Sequence, residues 1–176
     1  SCQIETEKGV KGQEFIDWLI KTKLFVISLD TSNRWFRWHH LFQDILQNHL
    51  KQGCSAEEIA KLHLRASEWF ERHNLIDEAI HHALAAEDPV RAAEIVERHR
   101  QDETNQDRWY VVGRWLGLLP PEIIQQRATL LLTRAWHCFS QFRLLEIPPL
   151  LEQANELLKH KTSDESLLGE LDFHWG

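Results

Sequence analysis

The sequence predicts a mainly α-helical protein in two parts: a small helical domain with one β-hairpin, then a run of antiparallel helix pairs. Two observations carry this. Strand formers cluster only around the turn at 30–33, whereas apolar residues recur at three- and four-residue spacing from residue 55 onward. Helix start and stop signals also punctuate that second stretch every 10 to 20 residues or so.

Bulk properties bound the class. The 176 residues suit one medium domain or two small ones, and 43% hydrophobic with 27% charged is ordinary for a globular chain. There are eight tryptophans and no methionine, and the chain opens Ser-Cys-Gln, which points to an internal piece of a longer protein. Cys2, Cys54 and Cys138 lie far apart in an odd count, so reduced thiols in a cytoplasmic protein are expected rather than a disulfide framework. No apolar run approaches the ~18 residues of a membrane span, so no membrane role is expected. Residues 1–53 carry 7 Lys/Arg against 6 Asp/Glu, and residues 54–176 carry 13 against 21. The acidic second part opposes phosphate binding.

Taken in order, residues 13–23 place Phe15, Ile16, Leu19 and Ile20 on one helical face. Leu24 to Ile27 are strand formers, Asp30-Thr31-Ser32-Asn33 is turn chemistry, and Arg34 to Trp38 form a second, aromatic strand. A helix from about His39 to Gln52 follows, with Leu41, Phe42, Ile45, Leu46, His49 and Leu50 on its expected buried face and Gly53 as its stop. Helix, strand, turn, strand, helix is the outline of the second half of a winged-helix domain, with the hairpin as its wing.

Ser55-Ala56-Glu57-Glu58 is a capping box, opening a helix that carries Ile59, Leu62, Ala66, Trp69, Phe70 and His73. A break at Asn74-Leu75 leads to a second helix through Ile80, Ala83 and Leu84. Asp88-Pro89 reads as N-cap and first residue of a third, to about Arg100. The wholly polar residues 101–106 read as a loop. A fourth helix spans about Asp107 to Leu118, burying Trp109, Val112, Trp115 and Leu116. Pro120-Pro121 breaks the chain, 128–140 form a further helix, Pro148-Pro149 open another to about His160, and 164–173 begin one more. Such pairs with short connections stack into solenoids. A degenerate repeat supports this, since Ala66 to Ala86 and Arg134 to Ala154 overlay at a shift of 68 residues. The expected organisation is therefore 1–53, the C-terminal part of a winged-helix domain; 54–126, a helical arm; and 127–176, the start of a tetratricopeptide-like solenoid.

Chemistry is sparse. There is no phosphate-cradling glycine loop and no serine nucleophile motif, so no catalytic residue is expected. Among eleven histidines there is no HxxxH, and Glu78, His81 and His82 read as a solvated helix face, leaving no metal site. Gly113 and Gly117 read as easing helix packing. The helix after the hairpin offers Gln43, Asp44, Gln47, Asn48 and one cation, Lys51, with only Arg34 and Arg37 on the hairpin. Direct nucleic-acid binding is not expected from so few cations. Trp109, Trp115 and Trp136 are candidate ligand-stacking residues, but the same spacing is what a packed helical pair needs, and core packing is the favoured reading.

RWFRWHHLFQDILQNHL, then LHLRASEWFERHNLIDEAIHHALAAEDPVRAAEIVE, then RWLGLLPPEIIQQRATLLLTRAW, resembles the winged helix, arm and sensor start of MalT-like regulators. These belong to the STAND class of signal-transducing ATPases and to the large ATP-binding LuxR family. The resemblance implies an upstream P-loop domain of the same chain as a partner, and ATP/ADP with Mg as cofactors of the parent protein rather than of this stretch. It implies an ADP-bound resting state released when a small-molecule inducer or regulatory protein binds the helical repeats. It further implies that Trp38-His39-His40-Leu41 corresponds to the Met-His-Asp motif of related STAND proteins, whose histidine contacts the ADP β-phosphate. The nucleotide-sensing candidates are therefore His39 and His40, the latter standing where the motif has Asp. The function expected is non-catalytic coupling of sensor occupancy to nucleotide state. The alternative is a stand-alone tetratricopeptide-like protein-interaction module.

Overall fold

A computed structural model describes residues 40–159, the strand residues 26–28 and 36–38, and Glu14, Asp17, Trp18 and Lys21. The expected face of Phe15, Ile16, Leu19 and Ile20, the flanking Leu24, Phe25, Arg34 and Trp35, the turn 30–33, Cys2, His39 and the helix at 164–173 lie outside the described residues, as do the side chains of Leu41 and Phe42. The chain divides into two compact units, Ser1–Leu62 and His63–Gly176.

In the first unit Glu14, Asp17, Trp18 and Lys21 are helical. Strands β1 (Val26–Ser28) and β2 (Phe36–Trp38) pair antiparallel, with Val26 opposite Trp38, Ile27 opposite Arg37 and Ser28 opposite Phe36. Helix α1 spans His40–Gly53. Ser55 then starts α2 (Ala56–Arg72) through a reciprocal capping box: Glu58 N donates to Ser55 Oγ at 3.2 Å, and Ser55 N donates to Glu58 Oε2 at 2.8 Å. Those bonds from Ser55 hold the Glu58 carboxyl below its ordinary range.

The described part of the face expected to be buried on α1 is exposed. Ile45 is 62% exposed, and Leu46, His49 and Leu50 are exposed with it. Leu62, one of the periodic apolar residues of α2, is exposed as well. Periodicity identifies the apolar stripe of a helix, but burial needs a second surface over that stripe, and the described residues supply none.

The second unit is helical: the remainder of α2, then α3 (Ile76–Ala85), α4 (Pro89–Thr104), α5 (Trp109–Leu118), the short α6 (Pro121–Gln125), α7 (Ala128–Ser140), a 3₁₀ turn at Leu144–Glu146, and α8 (Ile147–Lys159). Its core joins Ile76, Ala79, Ile80 and Ala83 of α3 to Ala92, Ala93, Ile95 and Val96 of α4, and continues through Val112, Trp115 and Leu116 to Leu130–Leu132 and Leu151, Ala154 and Leu158. The alanines lining the α3–α4 contact have no exposed surface, and their small side chains let the two backbones approach closely.

Asp88 caps α4 as expected, its side chain accepting from Arg91 N at 2.9 Å with Pro89 in the first turn. The loop expected at 101–106 is a correction: α4 runs on to Thr104. Gln, Asp, Glu and Thr contain no helix breaker, and the polar run is a solvated helix end. There Arg108 clamps Glu103 through Nε at 2.6 Å and Nη2 at 2.8 Å.

Four helices end alike. After α2, α3, α4 and α7, residues Asn74, Glu87, Asp107 and Phe142 turn left-handed, with φ of 59°, 59°, 56° and 58°. In each case the next residue donates its N–H five residues back: Leu75 to Phe70, Asp88 to Ala83, Arg108 to Glu103, and Arg143 to Cys138, at 2.9 to 3.1 Å. This is the Schellman arrangement, built here without glycine.

Candidate functional site

The nucleotide-sensing candidates sit where β2 passes into α1. The strand ends at Trp38 and the helix begins at His40, leaving His39 as the single residue between them. His40 is the first residue of α1, whose first turn carries no acidic side chain. Such a terminus presents unpaired N–H groups and a partial positive charge, which suits an anion.

The three tryptophans separate in space. Trp115 is 2% exposed and lies in the core, with Nε1 donating to Asp77 Oδ1 at 2.9 Å. Asp77 also receives Arg114 Nη2 at 2.6 Å, so one carboxylate of α3 grips two neighbouring residues of α5. Trp115 is thereby a packing and anchoring residue, closed to a ligand in this arrangement. Trp109 and Trp136 are half-buried and stack on each other, with centroids 6.1 Å apart and planes at 26°. Phe139 meets Trp136 edge-on at 6.0 Å.

His137 lies beside this stack. Its imidazole crosses α5 at Gly113, where any Cβ would collide with the ring, whereas a Cβ at Gly117 would meet nothing. Only the first of the two glycines therefore serves close packing. Burial holds His137 below the ordinary imidazole range, while a hydrogen bond to the Trp109 backbone works the other way. Its Nδ1 is buried without a partner. Burial pushes the neighbouring Cys138 thiol upward, away from reactivity.

Two groupings were not legible in the sequence. Glu71, with a side chain only 10% exposed, gathers Arg98 at 2.6 Å, Arg91 at 3.1 Å and His99 at 3.4 Å. His82, read from sequence as part of a solvated face, instead meets His63 of α2. Partners 19 to 28 residues apart give no local signal. Among the described residues no three His, Cys, Asp or Glu converge as a metal site would require, and no helix is long and apolar enough to cross a membrane.

With this geometry in view, comparison with known proteins is decisive at one point. Residues 5–58 match the family described as MalT winged helix domain. The chain is MalT-like. It is 33% identical over 166 residues to the HTH-type transcriptional regulator MalT of Yersinia enterocolitica, covering 92% of this chain and 18% of that protein. The MalT of Serratia proteamaculans gives 32% over the same length and the same coverage. The serine/threonine-protein kinase PknK of Mycobacterium tuberculosis is 40% identical over 116 residues, covering 64% of this chain and 10% of the kinase. The MalT-like chain thus spans less than a fifth of these curated relatives. No solved structure matches it.

Proposed function

We propose that this MalT-like chain is the non-catalytic coupling segment of a STAND-type, ATP-dependent transcriptional regulator of the cytoplasm. In this reading the antiparallel pair β1–β2 is the wing of the winged helix. Residues 54–126 are the arm, and residues from 127 onward begin a tetratricopeptide-like sensor for an inducer. The observation that carries the reading is the extent of the likeness: similarity to MalT regulators runs over 92% of the chain, through the residues that match the winged-helix family and on into the helices that follow. A segment that keeps both parts together is suited to passing a signal between them.

The nucleotide belongs to the parent protein, where ADP or ATP with Mg sits in an upstream P-loop domain. His39, at the passage from β2 to α1, is assigned the contact to the ADP β-phosphate, with His40 as the neighbouring candidate. The imidazole N–H adds a donor to the anion-friendly helix start. The test is the ADP affinity of the intact regulator, wild type against His39→Ala and His40→Ala. A loss of about tenfold in one variant, on the order of 1.4 kcal/mol, supports the reading. Unchanged affinity in both, with folded protein, removes the histidines from the switch.

A stand-alone interaction module is the second reading. The observation favouring it is the exposed apolar group at the end of α7 and the following turn: Phe139, Phe142 at 87%, Leu144, and Leu145 at 95% exposure. It predicts a protein partner whose binding ignores nucleotide and is weakened by Phe142→Ser with Leu145→Ser.

A further inference from the structure

His63 of α2 and His82 of α3 face each other through Nδ1 atoms 2.9 Å apart, their rings 5.1 Å between centroids and tilted by 40°. That separation is a hydrogen bond. A bond between two imidazole nitrogens fixes a proton count, because one Nδ1 must carry a hydrogen while the other offers a lone pair. Two neutral rings satisfy this with opposite tautomers. A pair holding one extra proton satisfies it too, as an imidazolium donating to a neutral imidazole, which makes the bond charge-assisted. A pair holding two extra protons does not: N–H then points at N–H, and two positive charges adjoin.

The surroundings make this count matter. Phe70 stacks on the His82 ring at 5.1 Å and 19°, leaving it half-buried. One turn along α2 from His63, the buried Ser67 donates its Oγ hydrogen to the Ala79 carbonyl at 2.8 Å. The two bonds stitch the same pair of helices, one titratable and one not. The charged or titratable groups acting on His82 are His63 from α2, and His81 and Glu78 from its own helix. Burial, His63 and His81 favour its neutral form, and Glu78 opposes them.

We propose that the His63–His82 pair is a proton-counting latch on the α2–α3 hairpin, closed while at least one of the facing Nδ1 atoms keeps a lone pair and released when both carry hydrogen. The hairpin accepts a first proton with its latch intact and loses the latch on the second. Histidines of the unfolded chain take protons near the ordinary value of about 6.5, whereas the facing Nδ1 atoms of the folded pair, 2.9 Å apart, have room for one hydrogen between them. The latch therefore contributes fully above the ordinary imidazole range, and that contribution is lost as pH falls through the second step.

The experiment uses the full 176-residue chain. A double-mutant cycle of His63→Ala and His82→Ala, followed by urea unfolding, is expected to show coupling of about three- to tenfold in the unfolding constant near pH 7.5, vanishing near pH 4.5. His63→Asn places a non-titrating amide close to the position of Nδ1, and the amide oxygen accepts from a protonated His82. This variant is expected to lose about three- to tenfold less stability than the wild type between the two pH values. Imidazole ¹⁵N spectra of the wild type require no substitution, so they decide the matter even where an alanine variant fails to fold. The expected result is two linked steps shared by both rings. Independent single-step titration of each ring, or an acid response unchanged by His63→Asn, overturns the latch.

Discussion

Helices α1 and α3 are both amphipathic, and they meet different ends. α1 leaves Ile45, Leu46 and Leu50 exposed in the first unit, while α3 buries Ile76, Ala79, Ile80 and Ala83 in the second. The difference is not in the pattern of either helix. α3 is followed within three residues by α4, which returns antiparallel and covers it with Ala92, Ala93, Ile95 and Val96. In α1 the stripe is equally well defined, and no described residue closes over it. Amphipathic spacing is a property of one helix, whereas burial is a property of two.

Substitutions sharpen this contrast. The largest effect is expected from Trp115→Ala, which empties a core position and removes one of the two donors that reach the Asp77 carboxylate. A loss of roughly 3–5 kcal/mol in urea unfolding is expected, against less than about 1 kcal/mol for Ile45→Ala. Equal losses at the two positions would mean that α1 is covered after all.

A smaller effect separates the two glycines of α5. Gly113→Ala drives a methyl group into the His137 imidazole and is expected to cost roughly 1–3 kcal/mol. Gly117→Ala meets open space and is expected to raise stability by roughly 0.5–1 kcal/mol, because alanine is the better helix former. Opposite shifts in thermal midpoint are the readout, and shifts of the same sign would refute the close approach of His137.

The smallest effect belongs to the left-handed positions. Glu87→Gly and Phe142→Gly remove a side chain from a conformation that L-residues disfavour. Each is expected to stabilise by up to about 1 kcal/mol, reduced by the greater freedom glycine gives the unfolded chain. Midpoints that stay level or fall would show that the side chains, and not the backbone, hold these turns.

Much of the chain from Ser55 onward was legible because its signals are local. The capping box at Ser55, the Asp88-Pro89 start and the 128–140 helix each rest on a few adjacent residues, and the structure has them where the sequence puts them. The misreadings came from inferring contacts or breaks out of composition. The polar run 101–106 lacks a breaker, so the helix continues to Thr104. The helix ends at 74, 87, 107 and 142 carry no glycine, so the commonest stop signal is missing from all four. Of the candidate site, the stretch into α1 was legible as a motif. The sorting of three tryptophans into one core residue and one stacked pair was not, since it depends on which face of α5 meets α3 and which meets α7.

The repeated glycine-free helix endings bear on how the protein is made. Each chain reversal is closed by bonds within six consecutive residues, and the α2, α3 and α7 turns each leave only three residues before the next helical segment. Instructions for reversing direction are thus complete as soon as those residues leave the ribosome. Folding speed rises when native contacts are near in sequence. Hairpins of this kind can form one after another during synthesis, each offering a finished surface to the next, with little apolar chain left waiting for a distant partner.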